Sequence, residues 1–233
     1  MNLEQVVSIW KDDEKTHQWL NDTFVGLVNA TPELKAYRDW IEQNIFGFGE
    51  RSFIWMWKLL VDEMPTKFFT FLEVGVFRGQ VLGIVRMLAP EASISGVTPL
   101  DSTGGHWESD YTEDIKKLHE TFKLRQPHIF KGLSTDGYTL LRVQTTNPKG
   151  FNMVYIDGGH EYETVKADLQ NYCPMVKVGG FLIIDDCCHK YKLPNGFFPG
   201  IESVSKAVDE VLPNEQFQEL FSIVHNRVFK RIK

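Results

Sequence analysis

Along the chain the spacing of apolar positions changes once. Over residues 1 to about 67 they recur at helical intervals, and Thr31-Pro32-Glu33 offers a helix start: a capping hydroxyl, a proline for the first helical position and an early acid. Leu34, Tyr37, Ile41 and Ile45 then fall on one face. Gly47-Phe48-Gly49-Glu50-Arg51 reads as a loop, followed by an aromatic-rich helix from Ser52 to Met64 that Pro65 stops. Trp55 and Trp57 on that helix are expected to serve packing.

From Thr70 onward short apolar runs alternate with helical segments, which predicts an α/β fold: a mostly parallel sheet with crossover helices. The runs are Phe71 to Val74, Ala92 to Val97, His128 to Phe130, Met153 to Ile156 and Phe181 to Ile184. After Ile201 an amphipathic helix carries Val204, Val208, Val211 and Leu212 on one side and ends at Pro213. Phe221 to Val224 and Val228 to Ile232 flank His225-Asn226-Arg227 and predict a closing antiparallel hairpin. The simplest domain count is an N-terminal helical extension, 1–49, followed by one α/β domain, 50–233.

The stretch Phe71 to Gly79 organises the second part. An apolar run closes on Glu73 and then on two glycines four apart, Gly75 and Gly79, before a helix expected over Gln80 to Leu88. Gly75 is free to take backbone angles closed to other residues, and the helix start points free N–H groups back at the turn, as a cofactor cradle requires. An ordinary strand-to-helix turn has the same local pattern. The irregular segments Thr98 to Asp114 and Cys187 to Gly200 follow predicted strands, where ligands bind in open α/β sheets. His106, Trp107, Tyr191, Phe197 and Phe198 are their candidate lining residues, with Glu50 and Arg51 as further candidates to border a cofactor.

Two other predicted strands end in acids, Ile156-Asp157-Gly158-Gly159-His160 and Ile184-Asp185-Asp186. Carboxylates closing buried strands are costly unless paired or bound. One reading is that they cap the next helices. The other, favoured for a single acid plus a doublet on neighbouring strands, is a divalent cation, with oxygen donors suiting Mg²⁺ or Ca²⁺ and His160 and His189 pulling toward a transition metal. His160 stands where a general base would be needed.

Composition narrows the classes. The 233 residues carry a formal net charge of −6 with no dominant Lys/Arg block, which argues against general affinity for nucleic acid or anionic membranes. Three cysteines, Cys173, Cys187 and Cys188, form no disulfide framework. No apolar run reaches membrane-spanning length, and a cytoplasmic protein is expected. A nicotinamide dehydrogenase would show Gly-x-Gly-x-x-Gly with an acid ending the second strand, and neither feature is present.

Glu73-Val-Gly75-Val-Phe-Arg78-Gly79, Tyr155-Ile-Asp157-Gly158-Gly-His160-Glu-Tyr162 with Asp168 beyond it, and Gly179-Gly180-Phe-Leu-Ile-Ile-Asp185-Asp186 together resemble the class I S-adenosylmethionine-dependent methyltransferases. More narrowly they resemble small O-methyltransferases acting on sugar hydroxyls and the metal-dependent catechol O-methyltransferase group. The resemblance covers residues 50 to 232. It implies a Rossmann-like sheet and cofactor contacts from Glu73, Gly75, Arg78, Gly79, Asp157 and Gly158, with Ser134 at the adenine. The acid that usually grips the ribose has no match, and Thr98 or Asp101 stands in its place. It further implies a divalent metal, Mg²⁺ first, on Asp157, Asp185 and Asp186, with His160 as base and Asp157 sharing the catalytic role. The acceptor implied is a small molecule or glycan, with homo-oligomerisation left open. A metal-independent methyltransferase and a non-catalytic cofactor-binding module are the alternatives.

Overall fold

The computed structural model describes residues 1–44, 47–99 and 111–233. Four helices open the chain: α1 (Leu3–Ile9), α2 (Glu14–Ala30), α3 (Pro32–Asn44) and α4 (Ser52–Asp62). Side-chain caps start the first two, Asn2 accepting from the Gln5 N–H and Asp13 from the Thr16 N–H. The α/β part follows as β1 (Thr70–Val74), α5 (Gln80–Leu88), β2 (Ser93–Thr98), α6 (Tyr111–Thr121), β3 (His128–Lys131), α7 (Gly137–Thr146), β4 (Phe151–Ile156) and α8 (Tyr162–Tyr172). It ends with β5 (Val176–Ile184), α9 (Glu202–Val211), β6 (Phe217–Ile223) and β7 (Asn226–Arg231).

Among the described residues the sheet has seven strands in the order β3-β2-β1-β4-β5-β7-β6. The first five pair in parallel and β7 enters antiparallel between β5 and β6, the mostly parallel sheet with a closing hairpin that the sequence predicts. Successive strand residues face opposite ways, so each central strand feeds two cores. Phe71, Met153, Tyr155, Phe181 and Ile183 pack with α4, α5 and the N-terminal helices, whereas Leu72, Val154, Ile156, Leu182 and Ile184 pack with α8 and α9. Burial on both faces is why these strands read as continuous apolar runs.

The N-terminal helices share the first of these cores, where Leu20, Phe24 and Tyr37 are fully buried. Both α1 and α2 pack against β6. Trp10, His17 and Tyr191 form a ring cluster with centroids 6.2–6.4 Å apart, and the Lys192 N–H donates to Asp12 Oδ1 at 2.8 Å. These contacts tie the N-terminal segment to the 187–200 loop.

The closing hairpin differs from its predicted boundaries. Its turn is Val224-His225 alone, with Val224 at φ +50°, and Asn226 and Arg227 already belong to β7. The pattern concealed this because β6 begins earlier, at Phe217, where exposed Gln218 and half-buried Glu219 interrupt the apolar run, while Leu220 to Ile223 are all buried. Arg227 is 6% exposed and clamped: Nη2 donates to Glu219 Oε2 at 2.7 Å, Nε to Glu219 Oε1 at 3.0 Å, and Nη1 to Asp209 Oδ1 at 2.9 Å.

Candidate active site

The sheet register brings the acids together. Tyr155 pairs with Ile183 and Ile183 with Val228, so one alternation further Asp157, Asp185 and Asn226 lie on the same sheet face, at the carboxyl ends of β4 and β5 and the start of β7. Beside them is the β1 turn. Gly75 holds φ +96°, and a Cβ there would sit 2.0 Å from the Asp157 carbonyl oxygen, so only glycine lets β1 and β4 turn past each other this closely. Gly79, at φ +82°, is the N-cap of α5.

A cavity of about 930 Å³ joins these parts. Its walls include Gly75, Thr98, Ser134, Asp157, Gly158, His160, Asp185 and Asp186, which the sequence nominated. Arg38, Phe48, Glu50 and Phe53 close it from the N-terminal side and Phe198 from the 187–200 loop. Phe48 stacks on Phe77 with centroids 5.4 Å apart, and Tyr111 meets Phe77 edge-on at 5.0 Å.

Other nominated residues lie elsewhere. Arg78 faces α6, its Nε 2.9 Å from Asp114 Oδ2, and does not line the cavity. Arg51 pairs with Asp39 and Glu42. Tyr191 donates to Glu219 Oε1 at 2.6 Å, Phe197 packs against the core, and the His189 N–H donates to Ser205. Asp101, His106 and Trp107 lie outside the described residues.

Electrostatically the site is a concentration of negative charge without a Lys or Arg partner among the described residues. Glu73 is 3% exposed under the Gly75 turn, with Oε2 unpartnered; burial pushes its carboxyl up to about 8, the Leu82 N–H pulling back and the Asp185 charge adding to the rise. Asp157 faces the cavity but is walled by protein elsewhere. That burial, with the charges of Asp185, Asp186 and Glu73, raises its carboxyl well above the usual range, although the Tyr155 hydroxyl donates to it at 3.2 Å. Burial, then the neighbouring Asp185, lifts Asp186 to about 7. None of this group is spent as a helix cap: Asp136 and Asp13 do that work elsewhere.

Two residues complete the site that sequence reading left in a turn. His225 Nε2 stands 3.3 Å from Asp185 Oδ1 and 3.8 Å from Asp186 Oδ1, and the Asn226 amide donates to Asp185 Oδ1 at 2.6 Å. The available signal was topological: an antiparallel β7 beside β5 must start where β5 ends. On the open side His160 Nε2 lies 3.4 Å from Asp186 Oδ2. Clustered carboxylate oxygens, one imidazole and the buried, unpartnered Asn226 Oδ1 are a donor set that fits a divalent cation.

Comparison with known proteins accords with this geometry. Residues 72–187 match the model of a family described as a methyltransferase domain. An uncharacterized protein of Acanthamoeba polyphaga mimivirus is 26% identical over 157 residues, 66% of this chain and 68% of its own. A Staphylococcus aureus structure assigned as a caffeoyl-CoA O-methyltransferase superposes with TM-score 0.61 at 14% identity, covering 84% of this chain and 91% of that one. CalS11, a TDP-rhamnose 3′-O-methyltransferase of calicheamicin biosynthesis, gives 0.56 at 17% identity over 95% of this chain and 97% of its own. MycE, of mycinamycin biosynthesis and solved with Mg, S-adenosylhomocysteine and mycinamycin VI, gives 0.53 at 16% identity over 81% of this chain and 51% of its own. With the strand order 3-2-1-4-5-7-6, the glycine turn after β1 and the match over 72–187, the chain belongs to the class I S-adenosylmethionine-dependent methyltransferases.

Proposed function

We propose that this methyltransferase transfers the methyl group to a hydroxyl of a sugar or glycan, with a divalent cation on Asp157, Asp185 and Asp186 and with His160 as the general base. The observation that carries the reading is that one cavity contains both the glycine turn and the acids at the strand ends. When bound, S-adenosylmethionine supplies a sulfonium methyl open to in-line attack, and a divalent cation makes a hydroxyl it binds more acidic.

The chain's own residues account for the rest. The Gly75 turn admits the cofactor close to the backbone, and Thr98 and Ser134, at the ends of β2 and β3, are placed to meet its ribose and adenine. Phe48, Phe53 and Phe198 offer apolar faces on which a sugar ring stacks, and Asp157, Asp185 and Asp186 would hold a divalent cation, which would lower the pKa of a hydroxyl of the acceptor. His160 takes the hydroxyl proton on its imidazole, and Asp186, 3.4 Å away, stabilises the ring once it is charged. The helical extension, 1–49, serves the domain over 50–233 by contributing Arg38 and Phe48 to the cavity wall. MycE, a neighbour solved with Mg and S-adenosylhomocysteine, supports the metal, and CalS11, named for a TDP-rhamnose substrate, supports the sugar.

Titration calorimetry with S-adenosylmethionine and S-adenosylhomocysteine, with and without Mg²⁺, tests this on the wild type and on a variant with Asp157, Asp185 and Asp186 all replaced by alanine. Both proteins are expected to bind cofactor and only the wild type metal, with transfer to nucleotide sugars or oligosaccharides abolished by chelator. Activity that survives chelator makes the enzyme metal-independent.

A further inference from the structure

We propose that His225 Nε2 is a donor to the cation held by Asp185 and Asp186, and that this nitrogen makes the site select a first-row transition ion such as Mn²⁺, Fe²⁺ or Zn²⁺ over Mg²⁺. The inference rests on the divalent-metal reading above and concerns which ion that is.

Distances decide against a simple ion pair. A protonated imidazole bonded to a carboxylate stands about 2.7–2.9 Å away. His225 Nε2 is 3.3 Å from one carboxylate and 3.8 Å from the other, and Asp185 Oδ1 already takes the Asn226 amide at 2.6 Å. Donors sharing one ion at about 2.1 Å are instead spread about 3.0–3.4 Å apart, from right-angled to tetrahedral arrangements. One donor atom each from Asp185, Asp186 and His225 lie within 4.8 Å of one another, so a small closure brings all three onto one ion.

The ring is also held for the purpose. It is 6% exposed and sits edge-on to Phe53 and Phe198, with centroids 4.8 and 5.3 Å apart, while the two-residue turn fixes its backbone. An independent sign of a ligand site is Asn226 Oδ1, fully buried in the same cavity wall and without a hydrogen-bond partner. Imidazole nitrogen is a poor donor for Mg²⁺, which demands oxygen and keeps its water, and a good one for first-row transition ions. One imidazole added to the carboxylates of that reading therefore shifts a site that would otherwise suit a hard ion.

The test is electron spin echo envelope modulation of the Mn²⁺-loaded protein, joined to equilibrium dialysis with Mn²⁺ and Mg²⁺. Wild type is expected to show ¹⁴N modulation and to hold Mn²⁺ at least about tenfold more tightly than Mg²⁺. His160→Ala should keep both properties, and His225→Asn should lose the modulation and narrow the preference. Mn²⁺ bound without ¹⁴N modulation in wild type, a reading that needs no variant to fold, would overturn the proposal and leave the metal site standing; so would modulation that persists in His225→Asn. Wild type that binds S-adenosylhomocysteine but neither ion would overturn the metal reading itself, and this inference with it.

Discussion

Asp168 is the sharpest place to test the electrostatics of this fold. It lies on α8 with no exposed surface and with neither carboxylate oxygen hydrogen-bonded, beneath Gly158, whose Cβ, if it had one, would lie 3.0 Å from Asp168 Oδ2. Burial lifts its carboxyl from 3.8 to about 6; the nearby Ser134 hydroxyl pulls back a little without reaching hydrogen-bonding geometry. A rise of about two units corresponds to about 3 kcal/mol, at 1.36 kcal/mol per unit. The sign follows from proton counts. Between about 4 and 6 the folded state holds this proton and the unfolded state has lost it, so this group makes stability fall as pH rises through that window and then level off. Asp168→Asn keeps the shape and removes the ionisation. Urea unfolding of both proteins from pH 4 to 8 should show the variant more stable by up to about 3 kcal/mol at pH 8, the gain shrinking toward zero near pH 4. A variant that is less stable than wild type at pH 8 would refute the reasoning, because it would mean that the carboxylate is paired in solution.

Three further outcomes follow from the same geometry. Gly75→Ala must place a methyl 2.0 Å from the Asp157 carbonyl at φ +96°; about 1–3 kcal/mol of backbone strain plus the collision should lower the melting temperature and abolish cofactor binding, and unchanged calorimetry on both counts would disprove the cradle. Arg227→Met removes the clamp, leaving Glu219 to the Tyr191 hydroxyl and Asp209 to Lys190, and should cost about 1–3 kcal/mol in urea unfolding, partly recovered by adding Glu219→Gln; a loss below about 0.5 kcal/mol would show the clamp to be dispensable. His160→Gln should slow methyl transfer about 10²–10⁴-fold while leaving S-adenosylhomocysteine affinity unchanged, and an undiminished rate would remove His160 from its role as base.

The sheet was legible because its central strands are buried on both faces, which leaves unbroken apolar runs such as Leu182 to Ile184. The helix over Gln80 to Leu88 was legible to the residue, since glycine precedes it and Ala89-Pro90 follows. Asp157, Asp185, Asp186 and His160 were readable as a group because two neighbouring strands both end in acid. What the linear pattern hid was contact made across the sheet. His225 and Asn226 looked like turn residues until β7 was seated against β5. Arg78, a cofactor contact by its place in the motif, pairs with Asp114 on α6, a contact that the motif does not encode. Phe48 and Phe198 reach one cavity from segments 150 residues apart, a meeting that no local periodicity encodes.

The packing of α1 and α2 against β6 has a kinetic side. Residues 217–223 are made some two hundred positions after those helices, so although α2 packs on α3 and α4 early, the surface it shares with β6 is completed only once β6 has been made. Contacts of such long sequence separation form late and slowly, and exposed amphipathic helices invite association in the interval. Pairing of β7 with β5 and β6 completes that surface and carries His225 and Asn226 to the acids. Completion of the binding pocket is thereby made contingent on completion of the fold, and a partly folded chain would be neither sealed nor competent.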